Sequence, residues 1–302
     1  MTEPHSVPSL PASSTARDIS YAYSAQSKPG RAMIRLMENA TGRLGLIRRA
    51  AGYETEVAQG RSFWEVMVER YGLELDVVRG SLDNIPKDGP LIVIANHPYG
   101  ILDGLILGQI LSVTRGDFRV LAHKVFRKAE ELDGIVLPVS FDATKEAVAQ
   151  NIETRKTALK YLAGGGCVGV FPGGTVSTAV KPFAKPMDPG WRSFTARMIA
   201  KSNATVLPIY FDGHTSRVFQ LASHLHQTLR MGLLIKEFKS RVDTPVRVSI
   251  GTPIPAHEIA TRQKDARKLM DFLREATYEL SPTPYSSLEY GFEFEDRHRV
   301  IR

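Results

Sequence analysis

A histidine and an aspartate with the spacing of a general-base pair lie near the end of the first third of the chain. The segment reads Leu91-Ile-Val-Ile-Ala-Asn-His-Pro-Tyr-Gly-Ile-Leu-Asp103, so an apolar run leads directly into His97, and Asp103 follows after a turn. An aspartate that accepts from one imidazole nitrogen leaves the other nitrogen free to take a proton from a hydroxyl. The pattern predicts general base catalysis. For this segment alone, a turn histidine beside a capping aspartate fits equally well, because the spacing recurs by chance.

A glycine-rich loop forms the second candidate for chemistry. The apolar run Cys167–Phe171 leads into Pro172-Gly-Gly-Thr175. Backbone N–H groups in such a loop can hold an oxyanion or a polar headgroup. No Gly-Lys-Ser/Thr follows, which excludes a nucleotide phosphate loop. Taken alone, an ordinary exit from a strand into a loop explains the segment better.

Further polar side chains follow other apolar runs. Lys124 and Arg127 come after one such run, and His214 and Arg217 come after another. If these runs are parallel strands, their carboxyl ends meet at one edge of a sheet, where ligands commonly bind. We therefore predict that these four residues line the same cleft as His97, although a solvated loop is the simpler explanation for each residue singly.

Short β-like runs alternate with helical patterns over most of the chain. We predict strands at Leu75–Arg79, Leu91–Ala95, Phe118–Ala122, Ile135–Pro138, Cys167–Phe171, Val206–Phe211 and Val246–Ile250. We predict helices at Asp103–Ser112, Thr144–Ala163, Gly190–Ser202 and His257–Leu280. The alternation predicts an α/β fold with a mixed, largely parallel central sheet flanked by helices.

A basic amphipathic segment precedes this domain. Five apolar residues recur there at helical spacing: Met33, Ile34, Met37, Leu44 and Ile47. The same segment, Arg31–Ala51, contains five arginines. Such a helix either lies in a membrane interface that carries anionic lipid or packs its stripe on the α/β domain, and the pattern fits both. We divide the chain into a disordered leader at 1–29, a helical membrane-attachment segment at 30–72 and a catalytic domain at 73–302.

The composition restricts the partners of the protein. The 302 residues carry a net charge of +7 and a pI of about 9.4, which favours an anionic partner. We expect no nucleic acid, since no nucleic-acid motif occurs, and no metal, since neither His97 nor His214 has a second ligand at metal spacing. With Cys167 as its one cysteine, the chain has no intrachain disulfide, which suits a reducing compartment. No apolar run reaches the ~20 residues of a membrane span.

Three blocks together resemble the glycerolipid (PlsC-like) acyltransferase family. They are Asn96-His97-Pro98 with Asp103, Phe171-Pro-Gly-Gly-Thr175 and Val206-Leu-Pro-Ile209, in this order. The stretch Asp212-Gly-His-Thr-Ser-Arg217, continued through Leu229-Arg-Met-Gly-Leu-Leu234, more narrowly resembles the hemolysin and lysophospholipid acyltransferase-like branch, which includes O-acyltransferases of bacterial aminolipid synthesis. The ordered set is specific, although no single block is.

The resemblance implies acyl transfer without a covalent acyl-enzyme. His97 would deprotonate the acceptor hydroxyl, with Asp103 as its partner, and the hydroxyl would attack the thioester of acyl carrier protein or coenzyme A. No cofactor is expected beyond this co-substrate. The substrate-binding residues would be Asn96, Lys124, Arg127, Gly173, Gly174, Thr175, His214 and Arg217.

Departures from the family pattern carry predictions of their own. Five residues separate His97 from Asp103 where the family has four, so the turn must bulge to keep the pair in contact. Gly173 and Val176 replace the customary glutamate and arginine of the third block, and the second block also lacks its arginine. Without these phosphate-binding arginines, a lyso-aminolipid is as good an acceptor as a lysophospholipid. We expect a peripheral protein on the cytoplasmic face of the inner membrane; the alternative is a non-catalytic, membrane-binding relative.

Overall fold

A seven-stranded sheet organises the protein and sets the position of every candidate residue. The computed structural model describes residues 19–25, 27–123, 130–140 and 144–294. Its strands are β1 (Glu74–Arg79), β2 (Leu91–Ala95), β3 (Arg119–His123), β4 (Val136–Val139), β5 (Cys167–Val170), β6 (Thr205–Phe211) and β7 (Pro245–Ile250). Their order is β1-β7-β6-β2-β5-β3-β4, and every neighbouring pair is parallel except β6 and β7. The predicted mixed, largely parallel sheet is confirmed.

Helices cover both faces of the sheet. They are α1 (Lys28–Thr41), α2 (Arg43–Ala50), α3 (Tyr53–Ala58), α4 (Phe63–Arg70), α5 (Ile101–Arg115), α6 (Lys145–Ala163), α7 (Ser193–Ser202), α8 (Arg217–Leu225), α9 (Gln227–Lys239), α10 (Ala256–Ala260) and α11 (Ala266–Tyr278). Strand β2 is buried along its whole length because it lies between β5 and β6. Its alternate side chains enter two cores, one beneath α4, α5 and α9 and the other beneath α6, α7 and α11.

Several helix boundaries differ from those read from the sequence. The predicted helix Arg31–Ala51 is two helices, because Gly42 adopts a φ of 130° between α1 and α2. The predicted helix His257–Leu280 is likewise interrupted between α10 and α11. Helices α8 and α9 were not predicted. They pack against each other, and α9 also packs along α1.

The leader predicted to be disordered packs against the domain at its carboxyl end. Ser20, Tyr21 and Ala22 are buried, and both Ser20 Oγ and the Tyr21 N–H donate to the carboxylate of Glu38 in α1. Burial raises the pKa of Glu38 above its ordinary value, and these two donors oppose that shift. Residues 1–18 lie outside the described part of the chain. Residues 20–22, which fall within the predicted leader, are therefore packed against the domain.

The amino-terminal helices share one core with the sheet. Helix α1 packs along α9, and the indole of Trp64 in α4 fills the space above Gly108 of α5. Of the predicted apolar stripe, Ile34 is buried, whereas Met33 and Leu44 are exposed. The stripe is thus divided between the core and solvent. None of the described helices is both long and apolar enough to cross a bilayer.

Candidate active site

Strand β2 delivers the candidate base to the edge of the sheet where the parallel strands end. The residue after the strand, Asn96, is buried, and its amide exchanges two hydrogen bonds with the backbone of Phe211 at the end of β6. Both ends of this amide are occupied, so Asn96 ties two strand exits together. The substrate contact predicted for Asn96 stays a prediction. The tie places His97 between the ends of β5 and β6.

The turn after β2 brings the histidine and the aspartate together despite the extra residue. His97 Nδ1 lies 2.9 Å from Asp103 Oδ2. Gly100 adopts a φ of 79°, which lets the chain reverse, and the N–H groups of Tyr99 and Gly100 both donate to Oδ2. The Nδ1–Oδ2 approach lies off the axis of a good hydrogen bond, as is common in an active site without substrate. The predicted bulge keeps the pair in contact.

Asp103 is an incompletely satisfied carboxylate in a fully buried position. Burial raises its pKa above the ordinary value of an aspartate, while His97 and the two backbone donors oppose that shift. Its second oxygen, Oδ1, has no hydrogen-bond partner in the described part of the chain. A carboxylate in this state interacts strongly with any positive charge that forms on the neighbouring imidazole.

The imidazole of His97 packs against an aromatic ring and is partly exposed. It stacks on the ring of Phe171 with a centroid separation of 4.3 Å, and about a fifth of the side chain is exposed. No described residue hydrogen-bonds to Nε2. The ring therefore has one nitrogen near a carboxylate and the other without a hydrogen-bond partner among the described residues.

The glycine-rich loop at the end of β5 lies beside this imidazole. The Gly174 N–H donates to Phe171 O at 3.0 Å, and Gly174 adopts a φ of 69°. Among the described residues, the N–H groups of Gly173 and Thr175 have no acceptor. Of the three predicted backbone donors, the turn thus uses Gly174 and leaves the other two without an acceptor among the described residues.

Asp188 anchors this loop, although sequence analysis did not identify it. Its carboxylate accepts from Ser177 Oγ, from the His97 N–H at 3.2 Å and from Trp191 Nε1 at 2.9 Å. A Cβ on Gly173 would lie 3.2 Å from this carboxylate, which explains the glycine. The sequence signal is weak, since an aspartate followed by Pro189-Gly190 reads as an ordinary turn.

Arg230 of α9 is the second residue that sequence analysis missed. Its guanidinium is fully buried and donates to four oxygens: Thr175 Oγ1, Val176 O, Thr178 Oγ1 and Ser223 Oγ. No carboxylate of the described residues lies within ion-pair distance, and burial lowers the pKa of Arg230 to about 9. The guanidinium thus reaches the loop at Val176, where the family motif carries its own arginine.

The other predicted site residues lie at varying distances from the pair. His214 lines a cavity of about 190 Å³ that is shared with Tyr99, Asp212, Arg241 and Arg247. Tyr99 belongs to the turn between His97 and Asp103, so this cavity adjoins the site. Arg217 is exposed at the start of α8. Lys124 and Arg127 fall outside the described residues.

The chain is similar to several known proteins. A family model described as acyltransferase matches residues 47–286. The chain is 22% identical over 228 residues to a lyso-glycine lipid O-acyltransferase of Phocaeicola vulgatus, which covers 73% of this chain and 78% of the relative. It is 21% identical over 235 residues to the protein of the same name in Bacteroides thetaiotaomicron, covering 75% and 82% respectively. A crystal structure of the 1-acyl-sn-glycerophosphate acyltransferase PlsC from Thermotoga maritima aligns with a TM-score of 0.43 and 18% identity, covering 88% of this chain and 87% of that one.

Proposed function

Because the chain belongs to the acyltransferase family, we propose that it transfers a fatty acyl group from an acyl thioester to the hydroxyl of a lyso-lipid. The single observation that carries the mechanism is the 2.9 Å approach of His97 Nδ1 to buried Asp103 at the edge where β2 ends. The two lyso-glycine lipid O-acyltransferases favour a lyso-aminolipid as the acceptor.

His97 acts as a general base in this proposal. Nε2 takes the proton of the acceptor hydroxyl while the hydroxyl oxygen attacks the thioester carbonyl carbon. Asp103 stabilises the imidazolium that forms and holds the tautomer with the proton on Nδ1. The C–S bond then breaks, the imidazolium returns its proton to the departing thiolate, and the products are an ester and a free thiol. No bond to the protein forms at any step.

The glycine-rich loop stabilises the charge that develops on the carbonyl oxygen. The unpaired N–H groups of Gly173 and Thr175 support this role, because donors without an acceptor favour an oxyanion. Asp188 and Arg230 hold the loop from both sides. The predicted acceptor residues His214 and Arg217 would bind the headgroup at the neighbouring cavity, and Lys124 and Arg127 stay predictions.

The acyl donor and the cellular site belong to the same proposal. Acyl carrier protein and acyl-CoA are both thioesters, and the net charge of +7 suits the acidic surface of the first and the phosphates of the second. We propose peripheral attachment to the cytoplasmic face of the inner membrane, where a lipid acceptor resides. The exposed Met33 and Leu44 and the exposed Arg31 and Arg48 of α1 and α2 support a membrane contact there.

The decisive experiment is reconstitution with purified protein. Labelled acyl-carrier protein or acyl-CoA is incubated with a panel of lyso-lipids, and the acylated lipid is measured. We expect His97→Ala to reduce turnover by about 10²- to 10⁴-fold, the usual contribution of a general base. His257→Ala is the matched control, because His257 is exposed on α10, near the start of β6 at the opposite edge of the sheet. Equal turnover by the His97 variant and this control would refute the mechanism.

A further inference from the structure

Five exposed apolar side chains form a surface at the edge of the sheet where the candidate site lies. They are Val180 and Phe183 in the loop after the glycine-rich segment, and Val218, Leu221 and Leu225 on α8. We call this set the apolar rim. Phe183 and Leu225 are 78% and 76% exposed, which is unusual for side chains of this size. Such a surface marks an interaction site when its members are contiguous.

The three residues of α8 share one helical face. They are spaced by three and four positions, and Phe219, which points to another side of the helix, is buried against the domain. The helix therefore has two apolar sides, one that the core uses and one that no described residue covers.

The loop that carries Phe183 projects beside this face. An antiparallel bridge between Thr178 and Met187 closes the loop at its base. At this base, the Ala179 N–H donates to Gln220 of α8, and Ala179 O lies 2.9 Å from His224 Nε2. The two parts of the apolar rim are thus joined through hydrogen bonds. All residues from 181 to 185 are exposed.

The two chain segments that carry the apolar rim contain basic residues and no acidic ones. Lys181, Lys185 and Arg217 lie within the segments 179–186 and 217–225, and neither segment contains an aspartate or glutamate. Lys185 Nζ lies 3.4 Å from the ring centroid of Tyr285, whereas Lys181 and Arg217 are exposed. Apolar side chains beside exposed cations match a lipid surface with negative headgroups.

The apolar rim connects to the catalytic pair by two hydrogen bonds. Gln220 Nε2 donates to Ser177 O, and the Ser177 N–H donates to His97 O at 2.8 Å. We propose that the apolar rim inserts into the surface of a bilayer that carries anionic lipid and brings the site to its acceptor. The second half of this inference rests on the proposed function. The occupant is a lipid bilayer, and the surface is distinct from the α1–α2 stripe.

Co-sedimentation of the full chain with phosphatidylcholine–phosphatidylglycerol vesicles tests the proposal. The rim variant combines Phe183→Ser, Val218→Ser, Leu221→Ser and Leu225→Ser. We expect its vesicle partition to fall at least about tenfold, since apolar burial scales with the area removed. The matched control combines Val148→Ser and Ile152→Ser, which are similarly exposed but lie on α6. A third variant, with Met33→Ser, Leu36→Ser and Leu44→Ser, reports on the α1–α2 stripe. Thermal unfolding establishes that each variant is folded.

Partition of the rim variant equal to that of the α6 control would overturn the proposal. So would a wild-type protein that ignores vesicles but forms a dimer that the rim variant cannot form, because the apolar rim would then contact a second copy. Turnover gives a separate readout: the rim variant should keep full activity on a water-soluble short-chain acceptor and lose activity on acceptor embedded in vesicles. If neither the wild type nor any variant shows turnover on either acceptor, the proposed function fails. The sedimentation result still decides the membrane contact.

Discussion

Two buried aspartates at the same site differ in how completely their oxygens are satisfied. Asp188 distributes three donors over its two oxygens. Asp103 directs one oxygen at two backbone donors and at His97, and its other oxygen has no described partner. A fully bonded carboxylate stabilises a loop, because moving it breaks every bond at once. A partly bonded carboxylate keeps its charge available to a neighbour, which suits catalysis better than stability.

Asp103→Asn should separate the two roles most clearly. An asparagine can place its oxygen at the Oδ2 position, keep the donors from Tyr99 and Gly100, and put its amide nitrogen where Oδ1 lacks a partner. It cannot stabilise an imidazolium on His97. We expect kcat to fall by about 10²- to 10⁴-fold with the fold retained, as judged by steady-state assay and circular dichroism. Activity within severalfold of wild type would show that Asp103 is only a helix cap.

Asp188→Asn should lower stability more than it lowers activity. All three of its partners are donors, so an amide nitrogen must face at least one of them, whichever way it is oriented. Leaving a buried donor unsatisfied costs about 1–3 kcal/mol, and we expect the free energy of unfolding to fall by that amount in urea. The kcat of the folded fraction should fall by about tenfold or less, because His97 and Asp103 keep their contact. A loss of activity as large as that of Asp103→Asn would place Asp188 in the chemistry.

The difference in stability between the Asp103→Asn variant and the wild type should depend on pH in a defined direction. Since burial raises the pKa of Asp103 in the folded state, the native protein binds the proton more tightly than the unfolded chain does. At pH values above the raised pKa, the buried charge of Asp103 therefore lowers the free energy of unfolding of the wild type. This loss disappears as the pH falls below the ordinary pKa of an aspartate, because Asp103 is then protonated in both the folded and the unfolded state. We expect the variant to unfold at higher urea concentration than the wild type at neutral pH, with the difference shrinking in acid. A difference that does not change with pH would contradict this origin.

Tyr21→Phe should give the smallest of these effects. The phenol oxygen accepts the N–H of Ile101 at 3.2 Å, at the start of the helix that carries Asp103. Losing this acceptor should lower the free energy of unfolding by about 0.5–1.5 kcal/mol, measured in urea, because one hydrogen bond near a helix terminus is lost. We expect kcat to change less than in either aspartate variant. A large loss of kcat would instead tie the residues ahead of α1 to the alignment of the turn.

The sequence determined the strands, and through them the position of the base. The strands follow from short apolar runs with flanking turn residues, which are local signals, and all seven lie close to their predicted bounds. The same runs predicted that His97 and the glycine-rich loop each follow a strand, whereas the neighbouring positions of β2 and β5 come from the tertiary structure. Helices α8 and α9 were not predicted; they pack against each other, and α9 also packs along α1.

Only the tertiary structure decided which side chains complete the site. Asp188 lies 91 residues from His97, and Arg230 lies 55 residues from Thr175. No local pattern marks either residue, because the partner of a buried polar group depends on which elements pack together. Asn96 likewise makes a contact that its place in the motif did not predict, because its amide pairs with the backbone at the exit of β6. The extra residue before Asp103 likewise left the contact undecided until the positive φ of Gly100 closed the turn.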